Sequence, residues 1–282
     1  MHMSKSLVPL LNRRGGRHIL GLVATYVARC WTGDDVEIFF QNGLWVRRVG
    51  QYYFPDGLRC KNSLSRALRW RGGAEWYLSN AEDYWFRHYR PKKGDVILDV
   101  GAGHGEDTFA FSQAVGGEGS VIAIEAHPLS FRILHELCRL NGFSNTILLQ
   151  AAVMDKVGTV SIVEANAWNF HSIDQKTSTN GFKVKSTTLD AICKAKGVNK
   201  VDFLKMNIEG AEQYALLGMN SVIQRVQMIC VACHDFRADQ GDGEQFRTRT
   251  MVEQFLTRHG FKIDSRPYDQ RPYVRDHIFG LR

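Results

Sequence analysis

The chain has 282 residues, enough to bury a full core and to hold one large domain or a domain with an appendage. Its net charge of +7 falls wholly on residues 1–90, with 14 Lys/Arg against 7 Asp/Glu, while residues 91–282 hold 22 of each. No cleavable signal pattern is present, and the apolar run 19–31 is shorter than the about 20 residues a bilayer span requires, which excludes a spanning segment there.

In chain order, residues 1–15 are polar and glycine-bearing, and a helix is expected at about 17–31, packing on a domain or lying at an interface. Strands 37–40 and 44–48 flank Asn42-Gly43, the pair that favours a two-residue hairpin turn. A third strand at 51–54 precedes the Pro55-Asp56-Gly57 turn, and helices near 62–70 and 74–88 lead to Pro91-Lys92-Lys93-Gly94. That turn sets a basic appendage, 1–90, apart from a domain, 91–282. Beyond it strand and helix alternate, the pattern of a mostly parallel α/β sheet with right-handed crossovers. Strands are expected near 95–100, 121–126, 146–152, 201–207, 227–233, 261–266 and 277–282, with helices near 105–115, 129–141, 188–196, 211–219 and 244–259. Residues 158–164 read as an additional strand and 165–185 as an irregular polar loop. The six cysteines are scattered and fit free thiols in a reducing, cytoplasmic setting. Cys230-x-x-Cys233 lies in an apolar run without a partner pair, so it reads as buried strand cysteines rather than a zinc or redox motif.

The chemistry concentrates where the first domain strand ends. Val96, Ile97, Leu98 and Val100 form an apolar strand that Gly101, Gly103 and Gly105 punctuate. Such a turn brings the backbone close to a ligand and leaves helix N–H groups facing it. Glu125 ends the next strand, about 20 residues on, where a carboxylate accepts hydrogen bonds from both hydroxyls of a ribose. The glycines are spaced G-x-G-x-G rather than the dinucleotide G-x-G-x-x-G, and Glu106 and Asp107 follow at once. Two carboxylates would repel a pyrophosphate but suit an ammonium or sulfonium. The pattern resembles motif I of the S-adenosylmethionine-dependent methyltransferases.

Four further segments, IEAHP, QAAVMDKVGTVSI, TTLDAI and LKMNIEGAE, occur in order with DVGAGHGE and resemble the FkbM-type family of S-adenosylmethionine-dependent O-methyltransferases over about 95–260. The family pattern K-[IM]-D-[VI]-E-G-x-E holds Asp where this chain has Asn207. The resemblance implies a Rossmann-like class I methyltransferase fold: a seven-stranded, mostly parallel sheet whose last strand, here 277–281, is antiparallel. It implies that Asp99, Gly101, Ala102, Gly103, His104 and Gly105 cradle the methionine part of S-adenosyl-L-methionine. Glu125 would hold the ribose with Ala126 and His127 beside it, and Gln150 and Ala151 would edge the adenine.

The catalytic candidates are Asn207, Glu209, His234 and Asp235, at the ends of the fourth and fifth strands. Methyl transfer to an unactivated hydroxyl needs an aligned approach and a proton acceptor. His234 is the expected base, oriented by Asp235 or Glu209. The competing arrangement is a divalent metal, magnesium, held by Asn207, His234 and Asp235 and lowering the pKa of vicinal hydroxyls. The expected acceptor is a small-molecule, sugar or oligosaccharide hydroxyl, recognised by the 165–186 and 236–243 loops and the appendage. Aromatics there, Trp168 and Phe170 in the first loop and Trp45, Tyr52, Tyr53 and Phe54 in the hairpin, suit either stacking on sugar rings or, as expected, the core joining appendage to domain. Base methylation is argued against by the absence of an [ND]-P-P-[FYW] turn and of Pro-Cys. RNA ribose 2′-O-methylation stays as an alternative because Lys205 and nearby acids imitate a lysine-acid cluster. The basic appendage also suits peripheral membrane contact, including a non-catalytic docking module, and homodimer formation is left open.

Overall fold

The computed structural model describes residues 14–70, 73–164, 171–174 and 181–282. Two compact units divide the chain: residues up to 80 with 132–143, and residues 81–131 with 144–282. The division falls ahead of residue 90 because Ala81 and Trp85, with Tyr84, Phe86 and Tyr89 against them, belong to a core of the larger unit.

In the smaller unit, α1 (Arg14–Thr32) precedes an antiparallel meander of β1 (Val36–Gln41), β2 (Leu44–Val49) and β3 (Tyr52–Gly57). Helix α2 (Cys60–Arg69) follows, and α3 (Ala74–Tyr84) begins in this unit, its residues from Ala81 on counting with the larger one. Asn42 and Gly43 take positive φ, 51° and 77°, so the turn twists with the strands it joins. Ala24 and Ala28 of α1 are buried with Val36, Ile38 and Trp45. Gly21 makes that approach possible, since a Cβ there would stand 2.7 Å from the Ile38 carbonyl oxygen. Arg47 is wholly buried between Asp56 (3.3 Å) and the Tyr77 hydroxyl (2.9 Å), while Arg66 meets the other Asp56 oxygen at 2.9 Å. Paired in this way, the buried charges avoid the several kcal/mol that a lone one would cost. Trp45 and Phe54 are core residues, and Tyr52 and Tyr53 are half-buried.

The larger unit contains β4 (Val96–Val100), α4 (Glu106–Val115), β5 (Ser120–Glu125), α5 (Pro128–Leu140), β6 (Thr146–Gln150), β7 (Ala152–Val153), β8 (Gly158–Glu164), β9 (His171–Asp174) and β10 (Gly181–Thr187). Residues of α5 from Arg132 onward count with the smaller unit. Next come α6 (Leu189–Lys196), β11 (Val201–Met206), α7 (Glu212–Leu217), β12 (Val226–Ala232), α8 (Asp235–Asp239), α9 (Arg249–Arg258), β13 (Lys262–Ser265), α10 (Pro272–Arg275) and β14 (His277–Leu281).

Seven strands form one sheet in the order β13-β14-β12-β11-β4-β5-β6. From β12 to β6 the neighbours are parallel, and β14 runs antiparallel between β12 and β13. This is the class I methyltransferase sheet implied by the sequence. Its central strands are apolar on both faces: Ile97, Phe203, Cys230 and Phe279 enter one core, and Leu98, Leu204, Ile229 and Ile278 the other. Cys230 and Cys233 are buried free thiols whose pKa burial pushes well above the ordinary value.

A second sheet, in the order β7-β10-β8-β9, corrects two expectations. The strand expected over 146–152 ends at Gln150, and Ala152 and Val153 pair instead with Ser186 and Thr187. The expected loop at 165–185 contains β9 and most of β10. Val184 and Ile162, with Ala152 and Met154, bury one side of this sheet. Trp168 and Phe170 lie outside the described residues.

Candidate active site

The C-terminal ends of β4, β5, β6, β11 and β12 lie along one edge of the sheet, where ligands of doubly wound folds bind. At the end of β4 the chain turns through Gly101 (φ 79°), Gly103 (φ 57°) and Gly105 (φ 94°), and Gly105 is the N-cap of α4. The glycines serve different ends. A Cβ on Gly101 would stand 1.9 Å from the Asn207 carbonyl oxygen, so Gly101 lets the turn pass against the end of β11. A Cβ on Gly103 would meet nothing within 4 Å, so the turn is open there.

Glu125, partly buried at the end of β5, accepts hydrogen bonds from the Gly103 N–H (2.8 Å) and the His127 N–H (2.7 Å). Burial pushes its pKa up to about 7 although both N–H groups favour the charged form. Gln150, exposed at the end of β6, pairs in register with Glu125, and the Ala151 N–H reaches the Glu125 carbonyl at 3.2 Å. Ala126 packs on the second sheet's core, and the buried His127 ring meets the edge of Phe182 at 5.4 Å between centroids. Ala102 is buried in the turn, with His104 partly exposed beside it.

Asp99 departs from its expected role as a ligand contact. It is wholly buried, and its two oxygens are taken by Lys205 Nζ (3.0 Å) and the Thr108 hydroxyl (2.5 Å). Lys205 also donates to the Gly101 carbonyl (2.7 Å) and pairs with Asp107 at 3.3 Å. Burial alone would lower the lysine's pKa, but Asp99 and Asp107 more than offset it and hold the ammonium charged. Lys205 is therefore an internal strut pinning the glycine turn across β4 and β11. It is 1% exposed, and its charge is committed to Asp99 and Asp107. Asp107 is likewise engaged, accepting from the Trp85 indole at 2.8 Å.

At the end of β11, the Asn207 N–H donates to the Val100 carbonyl (2.9 Å), and its buried side-chain Oδ1 has no hydrogen-bond partner among the described residues. Glu209 follows with φ 54°, a left-handed conformation that costs a non-glycine residue about 1–2 kcal/mol and often marks a functional position. His234, buried at the end of β12, places Nδ1 3.1 Å from Glu212 and Nε2 3.4 Å from Glu209. Burial by itself would lower the imidazole's pKa, but the two carboxylates raise it to about 10. Glu209 would be raised by burial as well, yet His234 and Arg237 hold it below its ordinary value. Arg237 completes the cluster, 2.9 Å from Glu209 and 3.8 Å over the Phe246 ring.

The geometry bears on two expectations. Flanked by two carboxylates that raise its pKa, His234 is biased toward the imidazolium form, which has no lone pair with which to act as a base. Asp235 does not orient it, because the Asp235 carboxylate is turned onto the Thr248 and Arg249 N–H groups (3.1 and 3.0 Å). The metal arrangement gains no support: the Asp235 carboxylate is committed to those N–H groups, and among the described residues no group of three or more His, Cys, Asp or Glu is placed to hold a metal ion. Glu212 and Arg237 were not among the residues expected from the sequence. Glu212 accepts from the Gly210 N–H (3.0 Å) and also carries the His234 contact at 3.1 Å.

S-adenosylmethionine fits this edge by the chemistry of its lining. Glu125 and Asn207 Oδ1 offer acceptors for a ligand rich in hydroxyl and ammonium donors, and the turn is open at Gly103.

The methyltransferase FkbM domain model matches residues 99–263. A methyltransferase FkbM from Methylobacillus flagellatus superposes with a TM-score of 0.51 at 17% identity, covering 78% of this chain and 52% of that one. A fibrillarin from Aeropyrum pernix, solved with S-adenosyl-L-methionine bound, gives a TM-score of 0.44 at 16% identity, covering 89% of this chain and 82% of that one. Among curated proteins, the AMB antimetabolite synthetase AmbE of Pseudomonas aeruginosa is 26% identical over 95 residues, which is 33% of this chain and 4% of that protein. The chain thus spans a small part of that relative and about half of the Methylobacillus protein.

Proposed function

Because the chain belongs to the FkbM methyltransferase family, we propose that it methylates a hydroxyl oxygen of a sugar, glycan or secondary metabolite, with S-adenosylmethionine as donor. The observation that carries the oxygen assignment is the Glu209–His234–Glu212 cluster at the ends of β11 and β12. S-adenosylmethionine, when bound, supplies an electrophilic methyl on a sulfonium. The hydroxyl must then lose its proton, and Glu209 is the acceptor this chain offers. Its side chain is 18% exposed while those of His234 and Glu212 are 6% and 0%. His234 and Arg237 keep Glu209 ionised and fix its direction, and Glu212 holds the far side of the imidazolium. Glu125 would hold the ribose hydroxyls and Gly103 the open passage beside them. The partial match to an antimetabolite synthetase favours a secondary-metabolite acceptor over a nucleic acid.

The test is incubation with isotopically labelled donor and a panel of glycans and hydroxylated metabolites, with mass spectrometry locating the methyl. A methyl on oxygen is expected, and one on nitrogen or carbon would overturn the proposal. Glu209→Gln should lower turnover by ~10²–10⁴-fold and leave donor affinity unchanged.

A further inference from the structure

Helix α1 is apolar around most of its circumference, and only part of that surface is covered. Leu20, Ala24 and Ala28 pack on the meander. Ile19, Leu22, Val23, Tyr26, Val27 and Trp31 are exposed, Tyr26 by 71% and Trp31 by 69%. A helix apolar all round is ordinarily buried, so this stripe lacks its partner. The helix is too short and too interrupted to cross a bilayer.

The charge around the stripe says what the partner is. Helix α1 itself carries Arg14, Arg17 and Arg29 and no Asp/Glu. His18 and Arg29, both exposed, border the stripe, although Arg29 shares its charge with Asp35 at 3.1 Å. Helix α2 packs beside α1 and adds exposed Lys61 and Arg69, again with no acid in the helix. The basic side chains of α1 and α2, with no acid in either helix, are complementary to an anionic surface. Tyr26 and Trp31 are the side chains that settle at a membrane–water boundary, with their rings in lipid and their polar atoms in water.

We propose that the outer face of α1 lies in the headgroup region of an anionic membrane, anchoring the protein as a peripheral, in-plane helix. The inference stands apart from the proposed chemistry, since it uses none of the residues at the sheet edge.

The experiment sediments the full chain with vesicles of phosphatidylcholine alone, or with phosphatidylglycerol in equal parts. In parallel, an environment-sensitive fluorophore is placed on Cys30, the exposed cysteine in α1, the other five being buried. The protein should pellet with the anionic vesicles, bind neutral ones at least ~10-fold more weakly, and release as salt rises. The Cys30 probe should shift to the blue in the bound state. Tyr26→Asp with Trp31→Asp should weaken binding by ~10-fold or more with an unchanged circular dichroism melt. Should that double variant misfold, the salt dependence and the probe on the wild-type chain still decide. A protein that stays in the supernatant with anionic vesicles overturns the proposal. A probe shift that follows protein concentration instead of lipid also overturns it, by showing a second copy on the face.

Discussion

Replacing Gly101 with alanine tests the claim that this glycine serves the protein and Gly103 serves the ligand. The new Cβ would stand 1.9 Å from the Asn207 carbonyl oxygen, 2.8 Å from its carbonyl carbon and 2.9 Å from Ile208 Cγ2, and two of those atoms are backbone. Neither can swing aside, because the Asn207 N–H is bonded to Val100 and β11 pairs with β4 from Phe203 to Met206. A φ of 79° adds about 1–2 kcal/mol for a residue with a Cβ. Overpacking adds about 1–3 kcal/mol, for a loss of roughly 2–5 kcal/mol in all. In thermal unfolding that is a drop of about 5–15 °C in the transition of the larger unit. Gly103→Ala carries the left-handed strain alone, about 1 kcal/mol, and its methyl projects into open space. Its main effect should be on donor affinity, by ~10-fold or more, measured by isothermal titration. The reasoning fails if Gly101→Ala melts within about 2 °C of the wild type, or if Gly103→Ala loses as much stability.

Donor affinity should also depend on pH, because the carboxylate form of Glu125 accepts ribose hydroxyls and the protonated form does not. Affinity should fall as pH drops through about 7, and Glu125→Ala should cost about 1–3 kcal/mol of binding and abolish that dependence in titrations. His234 has a folded-state pKa raised to about 10, so its contribution to stability is complete below the unfolded value of about 6.5 and is lost as pH rises through about 10. Urea midpoints should therefore decline over that range, and His234→Gln, less stable at neutral pH, should flatten the decline. Turnover should be indifferent to EDTA; full inhibition rescued by magnesium or manganese would restore the metal reading. Lys205→Met should destabilise by about 3–5 kcal/mol in urea titration, since Asp99 would be left buried without its counter-charge.

The sheet was legible because its strands are buried on both faces and so read as unbroken apolar runs between glycine and polar turns. Asn42-Gly43 announced the hairpin for an equally local reason. β10 carried a weaker signal: Val184 and Ser186 point inward between exposed Lys183 and Lys185, an alternation diluted by the polar stretch before it. Grouping residues 132–143 with the smaller unit rests on contacts far apart in sequence, such as Asn42 to Glu136 (2.9 Å) and the Tyr53 N–H to Asn141 (3.0 Å), which periodicity cannot encode. The glycines, Glu125 and His234 were placed at strand ends by type and spacing, and they stand there in the structure. What escaped was protonation and direction. The pKa of His234 is raised by Glu209 and Glu212 together, and the Asp235 carboxylate is taken by a backbone N–H thirteen residues onward.

The Lys205 strut bears on the thermodynamics of ligand entry. With the Gly101 carbonyl and Asp99 both tied to one ammonium, the loop that meets the donor is already rigid before the donor arrives. Little conformational entropy is left to be surrendered on association, so binding should resemble a key entering a fixed lock rather than a segment folding around its guest. Calorimetry would then register a small negative heat-capacity change, set by the apolar surface of the ligand itself and lacking the large contribution of coupled folding.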